Sequence, residues 1–463
     1  MVRAPTPIAP DFAVRLRLTR VLGYLLERFA TSRLTAGIVA RLVALVLAAR
    51  INVIAKGAPN ATVLLGLSRI RIQADATALA ESGQFTVVSL PDMDQHTLQA
   101  AFFPSGTDAA AVVSDSWVAE RSERFRAFLA RMLPFFMRRI GAQAVIGANF
   151  WYRQDIHWGA AAQLAGFPYV VLFRESLKTS ETEQRALIER CRRLGRFEGE
   201  LILTHNETAR AALLTSGYAQ PGQVESTGAL RLSRFIRRCL TERPVRRPSG
   251  ARPTAALFSF AAGISLNALG IPPWPSNRYA GWVRLFERTH SAFAEAAMQV
   301  PDARFVIKTK SEDRWDDFIR QAIASRGMDL ARMPNLVVTD KVEPSELMLE
   351  SSVVISFAST VILEAGLAGK RVIIPDFEEA LDPYYRQHLK LAEVYPHFEV
   401  ARSPKDLVRL IVDGLRNENP IDPATQKERD RYFSLYVSSL RDDPLEKSVA
   451  LIRRAIDRHA AAA

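Results

Sequence analysis

Two stretches of this chain alternate short apolar runs with helical segments, and a Pro- and Arg-rich stretch separates them. In the first, β-rich runs fall at 62–67, 85–90, 144–148, 169–173, 201–204 and 223–227, with helical stretches such as 116–140 and 180–194 between them. In the second, the runs fall at 255–260, 304–308, 336–339, 353–357, 372–375 and 397–400, with helices near 279–299 and 315–326. A strand that is apolar along its whole length is buried on both faces. Strands of that kind, alternating with helices, predict a parallel sheet covered on both sides. The separating stretch, 241–253, has no apolar periodicity and marks a domain boundary. No fixed-period repeat occurs, which excludes a solenoid.

The expectation is an α/β protein with two Rossmann-like domains facing each other across a cleft. A length of 463 residues suits two or three domains. The divisions read as a basic amphipathic helical extension at 1–60, a first domain at 61–240, a linker at 241–253, a second domain at 254–425 and C-terminal helices at 426–463. In the extension, Phe12, Leu16, Val21, Leu22, Leu25, Leu26 and Phe29 recur at helical spacing, and the helical reading continues to residue 56. Asp443 followed by Pro444 reads as a helix start, with Asp as cap and Pro in the first turn.

Charge narrows the partners. With 61 Lys+Arg against 49 Asp+Glu, the net charge is +12, and such a field favours anionic partners. Residues 1–60 carry nine bases and two acids. That extension either packs on the first domain with its arginines reaching to solvent or lies on an anionic membrane. The basic stretches lack interleaved aromatic modules, so nucleic acid is not an expected partner. The longest uncharged apolar stretch of the extension, 42–49, is far short of the ~20 residues that span a bilayer. Arg15, Arg17 and Arg20 interrupt any signal-peptide core. Two cysteines, Cys191 and Cys239, allow neither a disulfide framework nor a zinc spacing. The expected location is cytoplasmic, with the inner face of the membrane within reach.

Several chemistries lose their main support. The chain contains no G-x-G-x-x-G, no G-x-x-x-x-G-K-[ST], no G-x-S-x-G and no H-E-x-x-H. The informative segment is 352–375. There a buried strand ends at Ser356, a tight turn holds Ser359 and Thr360, a helix carries Glu364 one turn later, and Gly369 ends it before another strand. Ligands of open α/β sheets bind at the carboxyl ends of strands, and a helix N-terminus there favours phosphate. Ser359 and Thr360 add hydroxyls, and Glu364 is placed to accept from a ribose diol. The same residues also read as a helix cap.

This segment resembles the donor-binding segment of GT-B glycosyltransferases. It is similar to bacterial surface-polysaccharide enzymes, including capsule Kdo transferases and CDP-glycerol glycerophosphotransferases. Phe305-Val-Ile-Lys308 resembles the family's strand ending in a phosphate-facing Lys, although the K-x-H-P form is replaced by Lys308-Thr309-Lys310. Residues 337–347 resemble the strand and loop that read the nucleobase, and Gly228-Ala-Leu-Arg231 resembles the G-x-x-R segment before the linker.

The resemblance implies a donor site of Lys308, Ser356, Ser359, Thr360 and Glu364, approached by Arg231 and by the loop carrying Gly263. It implies that the first domain binds a carbohydrate or lipid-linked acceptor and supplies any base. The base candidates, in order, are Glu175, His157 and Asp155, with His205 and Glu207 after another strand; each also reads as a cap, a salt bridge or a satisfied polar group. The activity implied is sugar transfer from a nucleotide-sugar donor to a surface polysaccharide such as capsule. A nucleotide-sugar 2-epimerase and a non-catalytic scaffold share the fold. Asp92-Met-Asp94 has the D-x-D form with which GT-A transferases hold a metal, but two αβ halves point away from that class. No cofactor and no metal are expected, because lysine, arginine and backbone N–H groups can meet a diphosphate.

Overall fold

The computed structural model describes residues 24, 26, 36–103, 116–152, 155–243, 250–260, 281–309, 314–386, 389–417 and 420–462. The chain forms two compact units. The first comprises Met1–Ser176, Leu187–Ser233 and Arg441–Ala463, and the second Leu177–Ala186 and Arg234–Leu440.

In the first unit the helices are α1 (Ala36–Ala48), α2 (Arg69–Glu81), α3 (Asp92–Ala100), α4 (Ser116–Ile140), α5 (Trp158–Leu164), α6 (Glu181–Leu194), whose first turns group with the second unit, and α7 (Glu207–Thr215). The strands are β1 (Asn52–Ala55), β2 (Thr62–Gly66), β3 (Phe85–Ser89), β4 (Ala142–Gly147), β5 (Tyr169–Phe173), β6 (Leu201–Thr204) and β7 (Val224–Ser226). They lie in the order β1-β3-β2-β4-β5-β6-β7. All neighbours are parallel except β1, which runs antiparallel to β3. The helical reading of 11–56 holds over α1 and is corrected after it, while 11–35, apart from residues 24 and 26, lie outside the described residues. A turn at Ala49–Arg50 ends α1, and Asn52-Val-Ile continues as an edge strand, a conformation that β-branched residues favour.

Strand β5 shows why the sheet needs two coats. Tyr169, Val171 and Phe173 enter one core with α1, α4 and the buried sides of α5, α6 and α7. Val170 and Leu172 enter the other, with Ile72 and Leu79 of α2. That second core is completed by a helix from the end of the chain, α16 (Pro444–Ala462), through Val449, Ile452, Ala455 and Ile456. Asp443 Oδ1 accepts from Leu445 N at 2.8 Å, so the helix starts on an Asp cap. Arg453 anchors it by donating to Thr62 Oγ1 at 2.7 Å.

The second unit contains α8 (Ser233–Glu242), β8 (Thr254–Phe258), α9 (Val283–Gln299), β9 (Arg304–Lys308), α10 (Arg314–Ala324), β10 (Leu336–Thr339), α11 (Pro344–Glu350), β11 (Val353–Ser356), α12 (Val361–Leu367), β12 (Arg371–Pro375), α13 (Pro383–Arg386), β13 (Glu399–Ala401), α14 (Pro404–Arg416) and α15 (Pro423–Tyr436). The sheet is parallel throughout, in the order β10-β9-β8-β11-β12-β13. Helix α14 approaches it so closely that a Cβ on Gly414 would lie 2.6 Å from Val353 Cγ2. Buried Arg429 ties α15 to the unit by donating to the carbonyls of His397 and Lys370, at 2.8 and 3.1 Å.

Each sheet grows outward in both directions from a central pair, β2/β4 in the first and β8/β11 in the second. Successive crossovers leave that pair on opposite sides, which opens a crevice beyond the carboxyl ends of its strands.

Candidate functional site

In the second unit the crevice lies beyond β8 and β11. Ser356 ends β11 with its hydroxyl buried and without a hydrogen-bond partner among the described residues. Ala358 turns the chain at a φ of 48°. Ser359 Oγ accepts from Val361 N at 3.4 Å, and Thr360 precedes α12 without a side-chain cap bond. Glu364, in the first turn of α12, is 7% exposed. Beyond β8, Ser259 Oγ lies 2.9 Å from His290 Nε2, while His290 Nδ1 lies 2.7 Å from the carbonyl of Phe286. The carbonyl fixes the proton on Nδ1, so Nε2 accepts from the serine. Burial holds this imidazole neutral, its pKa lowered to about 4. Phe260 and Phe357 pack against each other beside the pair, with ring centroids 5.0 Å apart.

Lys308 ends β9 and is turned onto backbone. Its Nζ donates to the carbonyls of Thr309 at 2.7 Å and Asp340 at 3.0 Å. Burial lowers its pKa, against the pull of Asp340 and Glu343. Gly263 and Lys310 lie outside the described residues.

The first unit's crevice is built differently. Arg71 comes from the first turn of α2, and its guanidinium covers the Tyr152 ring at 3.6 Å. The Tyr152 hydroxyl donates to Glu175 Oε1, just beyond β5. Burial first, then the Glu175 carboxylate, pushes that phenol up to about 12. Arg174 donates to the carbonyl of Arg71, and its Nε lies 3.4 Å from buried Asp75. Arg231 Nη1 lies 3.4 Å from His205 Nε2. Burial, reinforced by Arg231 and Arg174, drives the His205 pKa well below its ordinary value. The described residues Arg71, Ala148, Tyr152, Arg174 and Arg231 line a cavity of about 250 Å³.

Arg231, read from the sequence as a donor contact, therefore belongs with the first unit's crevice, where Glu175 reaches it through Tyr152. His157 makes other contacts. Its ring stacks on Phe103 at 5.4 Å and meets Phe125 edge-on. Arg126 Nε donates to its Nδ1 at 3.3 Å, and burial lowers its pKa to about 3. These are the surroundings of a neutral core histidine. Asp155 is 1% exposed, and neither carboxylate oxygen has a hydrogen-bond partner. Burial raises its pKa to about 7, Arg71 opposing and Asp92 adding to the shift. Asp94 is taken by Arg50, at 2.6 Å, in an ion pair with both side chains buried. Breaking such a pair costs about 3–5 kcal/mol. Among the described residues no group of three or more His, Cys, Asp or Glu is placed to hold a metal ion.

Sequence reasoning missed Arg71, Arg174, Tyr152 and the Ser259–His290 pair. Arg71 and Arg174 carried a signal, since each follows the carboxyl end of a run already read as a strand. His290 carried none, because it sits inside a helix.

No family model matches the chain, and no curated protein matches its sequence. Among solved structures, the chain is similar to the wall teichoic acid polymerase TagF, at 11% identity and a TM-score of 0.49, covering 98% of this chain and 99% of that one. It is also similar to the UDP-GlcNAc 2-epimerase of Neisseria meningitidis bound to UDP-GlcNAc, at 12% identity and 0.46, covering 86% and 100%. A third is Anabaena HepE in complex with UDP and glucose, at 13% and 0.41, covering 85% and 100%. The α/β fold stated above stands on the strand orders.

The raised pKa of Asp155 gives a pH test. The folded state disfavours its charged form, so its contribution to stability is fullest below the ordinary value of 3.8 and is lost as pH rises through about 7. Asp155→Asn removes that dependence. Denaturant unfolding from pH 5 to 8 is expected to show the variant gaining on the parent as pH rises, by at most about 1.4 kcal/mol per pH unit. A constant difference across that range would show that Asp155 does not titrate there.

Proposed function

We propose that this protein is a metal-independent GT-B-type glycosyltransferase that moves a sugar from a nucleotide-activated donor to a surface-polysaccharide or lipid-linked acceptor. In this reading the second unit holds the donor and the first unit the acceptor. The observation that carries it is the Ser356 hydroxyl, buried and without a partner among the described residues at the point where the second sheet's strand order reverses. A polar group left unmet in a protein interior costs about 1–3 kcal/mol, and a bound ligand oxygen would relieve that cost. Glu364 stands one turn of α12 away, and the Ser259–His290 pair faces the same crevice.

Within the first unit, Glu175 is the candidate base, with Asp155 behind it. A carboxylate hydrogen-bonded to a phenol beside three arginines is positioned to accept the proton of an acceptor hydroxyl. His157, neutral and stacked in the core, is ranked last.

The reading includes docking on the cytoplasmic membrane face. Val39, Ala40, Val43, Ala44 and Leu47 of α1 face the core, yet Ile38, Leu42 and Leu45 on its other side are exposed. A helix apolar all round calls for a second apolar neighbour. Exposed Phe135 of α4 lies beneath Arg41 at 4.7 Å, and Arg138 and Arg139 follow on the same helix. Exposed apolar side chains among arginines suit an anionic bilayer surface. No described helix is long and apolar enough to cross a membrane.

Two experiments follow. In a thermal-shift screen against UDP, CMP, CDP, GDP and their sugars, one nucleotide at 100 times its Kd should stabilise the protein by about 2.7 kcal/mol. Ser356→Ala and Glu364→Ala should abolish that shift while remaining folded. Turnover of the bound sugar nucleotide without any acceptor to its 2-epimer would instead favour the epimerase, and no response to any nucleotide would sink the reading. In co-sedimentation, vesicles containing phosphatidylglycerol should retain the protein and pure phosphatidylcholine should not. Leu42→Glu should release it, and equal retention of parent and variant would refute docking through α1.

A further inference from the structure

The first unit's crevice holds positive charge that its own acids do not balance. Its cavity is lined, among the described residues, by three guanidinium groups, one phenol and one alanine, with no carboxylate. Asp75, which is buried, lies 3.4 Å from Arg174 Nε. Burial raises its pKa, with Arg174 and Arg231 opposing the shift. The Glu175 carboxylate, which accepts from the Tyr152 hydroxyl, offsets one of the three positive charges. His205, beside Arg231, contributes no negative charge.

One donor in the cavity is unmet. Arg71 Nη1 is buried and has no hydrogen-bond partner among the described residues. Its guanidinium is spread on the Tyr152 ring, which fixes its plane. Arg174 is held by the Arg71 carbonyl and by Asp75, and Arg231 by His205. The three side chains are thus ordered before any ligand arrives, which lowers the entropy lost on binding. A guanidinium presents paired N–H donors that match two phosphate oxygens. The small side chain of Ala148 leaves the space among them open. All of this sits beyond the carboxyl ends of β2, β4 and β5, beside the pair where the strand order reverses.

We infer that Arg71, Arg174 and Arg231 form a phosphate subsite that holds a phosphate, diphosphate or phosphodiester group of the acceptor. The inference rests on the first unit receiving the acceptor, and it narrows that acceptor to a phosphorylated one. Among the described residues beyond β8 and β11, the neutral Ser259–His290 pair and the Ser356 hydroxyl carry no positive charge.

The test is calorimetric titration of the full chain with inorganic pyrophosphate and with glycerol 3-phosphate, in chloride buffer at two salt concentrations. Both ligands are expected to bind, more weakly at higher salt. Arg71→Gln and Arg231→Gln should each raise the Kd tenfold or more. Arg71→Lys, which keeps the charge and loses the fork, should fall between. Circular dichroism checks that each variant is folded, and the parent titration decides the matter if one is not. The nucleotide response in the thermal-shift screen should survive both Gln substitutions, as should retention on phosphatidylglycerol vesicles. Pyrophosphate binding without any nucleotide response would leave this subsite standing while the transferase reading fell. No binding of either ligand by the parent protein would overturn the inference. So would unchanged affinity in the Gln variants, or their loss of nucleotide and pyrophosphate responses together.

Discussion

Burial of strands on both faces is the constraint from which the rest of this molecule follows. Five consecutive residues of β5, Tyr169–Phe173, are buried, and so are all five of β8, Thr254–Phe258. Such strands pair in parallel through helical crossovers, and each sheet must be coated twice. In the first unit the coat on one face is α2 together with α16, which is why a helix from the chain's end belongs with strands from its beginning. Only the ends of the strands are left to carry polar chemistry, and the two reversals of strand order decide where it collects.

The described residues give the two crevices different character. The first is cationic: arginines are ordered by a tyrosine ring, a backbone carbonyl and a buried aspartate. Among its described residues the second holds a serine paired to a histidine that burial keeps uncharged, a second serine without a described partner, one glutamate, and Lys308 turned onto backbone carbonyls at the end of β9. A cationic site draws and fixes anionic groups, whereas hydroxyls and a carboxylate sort sugars and ribose by hydrogen bonds. In the proposed reading the first unit takes a charged acceptor and the second a nucleotide sugar.

Much of this was legible in the sequence. The strand runs fall where the structure has strands, because a continuous apolar run bounded by turns leaves few alternatives. Tyr169–Phe173, Leu201–Thr204, Arg304–Lys308 and Leu336–Thr339 agree to the residue. Residues 52–55 were read as helix because a short apolar run has no length to distinguish strand from helix. The segment holding Ser356, Ser359, Thr360 and Glu364 was legible because its residues are consecutive. The arginine crevice was not, because Arg71, Tyr152, Arg174 and Arg231 come from four separate segments that only the fold brings together. Asp92-Met-Asp94 shows the converse. Its spacing suggested a metal, but packing gives Asp94 to Arg50.

The most direct measurement is hydrogen–deuterium exchange of the full chain with and without the nucleotide sugar that stabilises it. The account predicts protection at the amides following β8 and β11, in 259–260 and 356–364, because the donor would close the crevice over the Ser356 hydroxyl. Protection confined to the amides following β2, β4 and β5, with 356–364 unchanged, would contradict it.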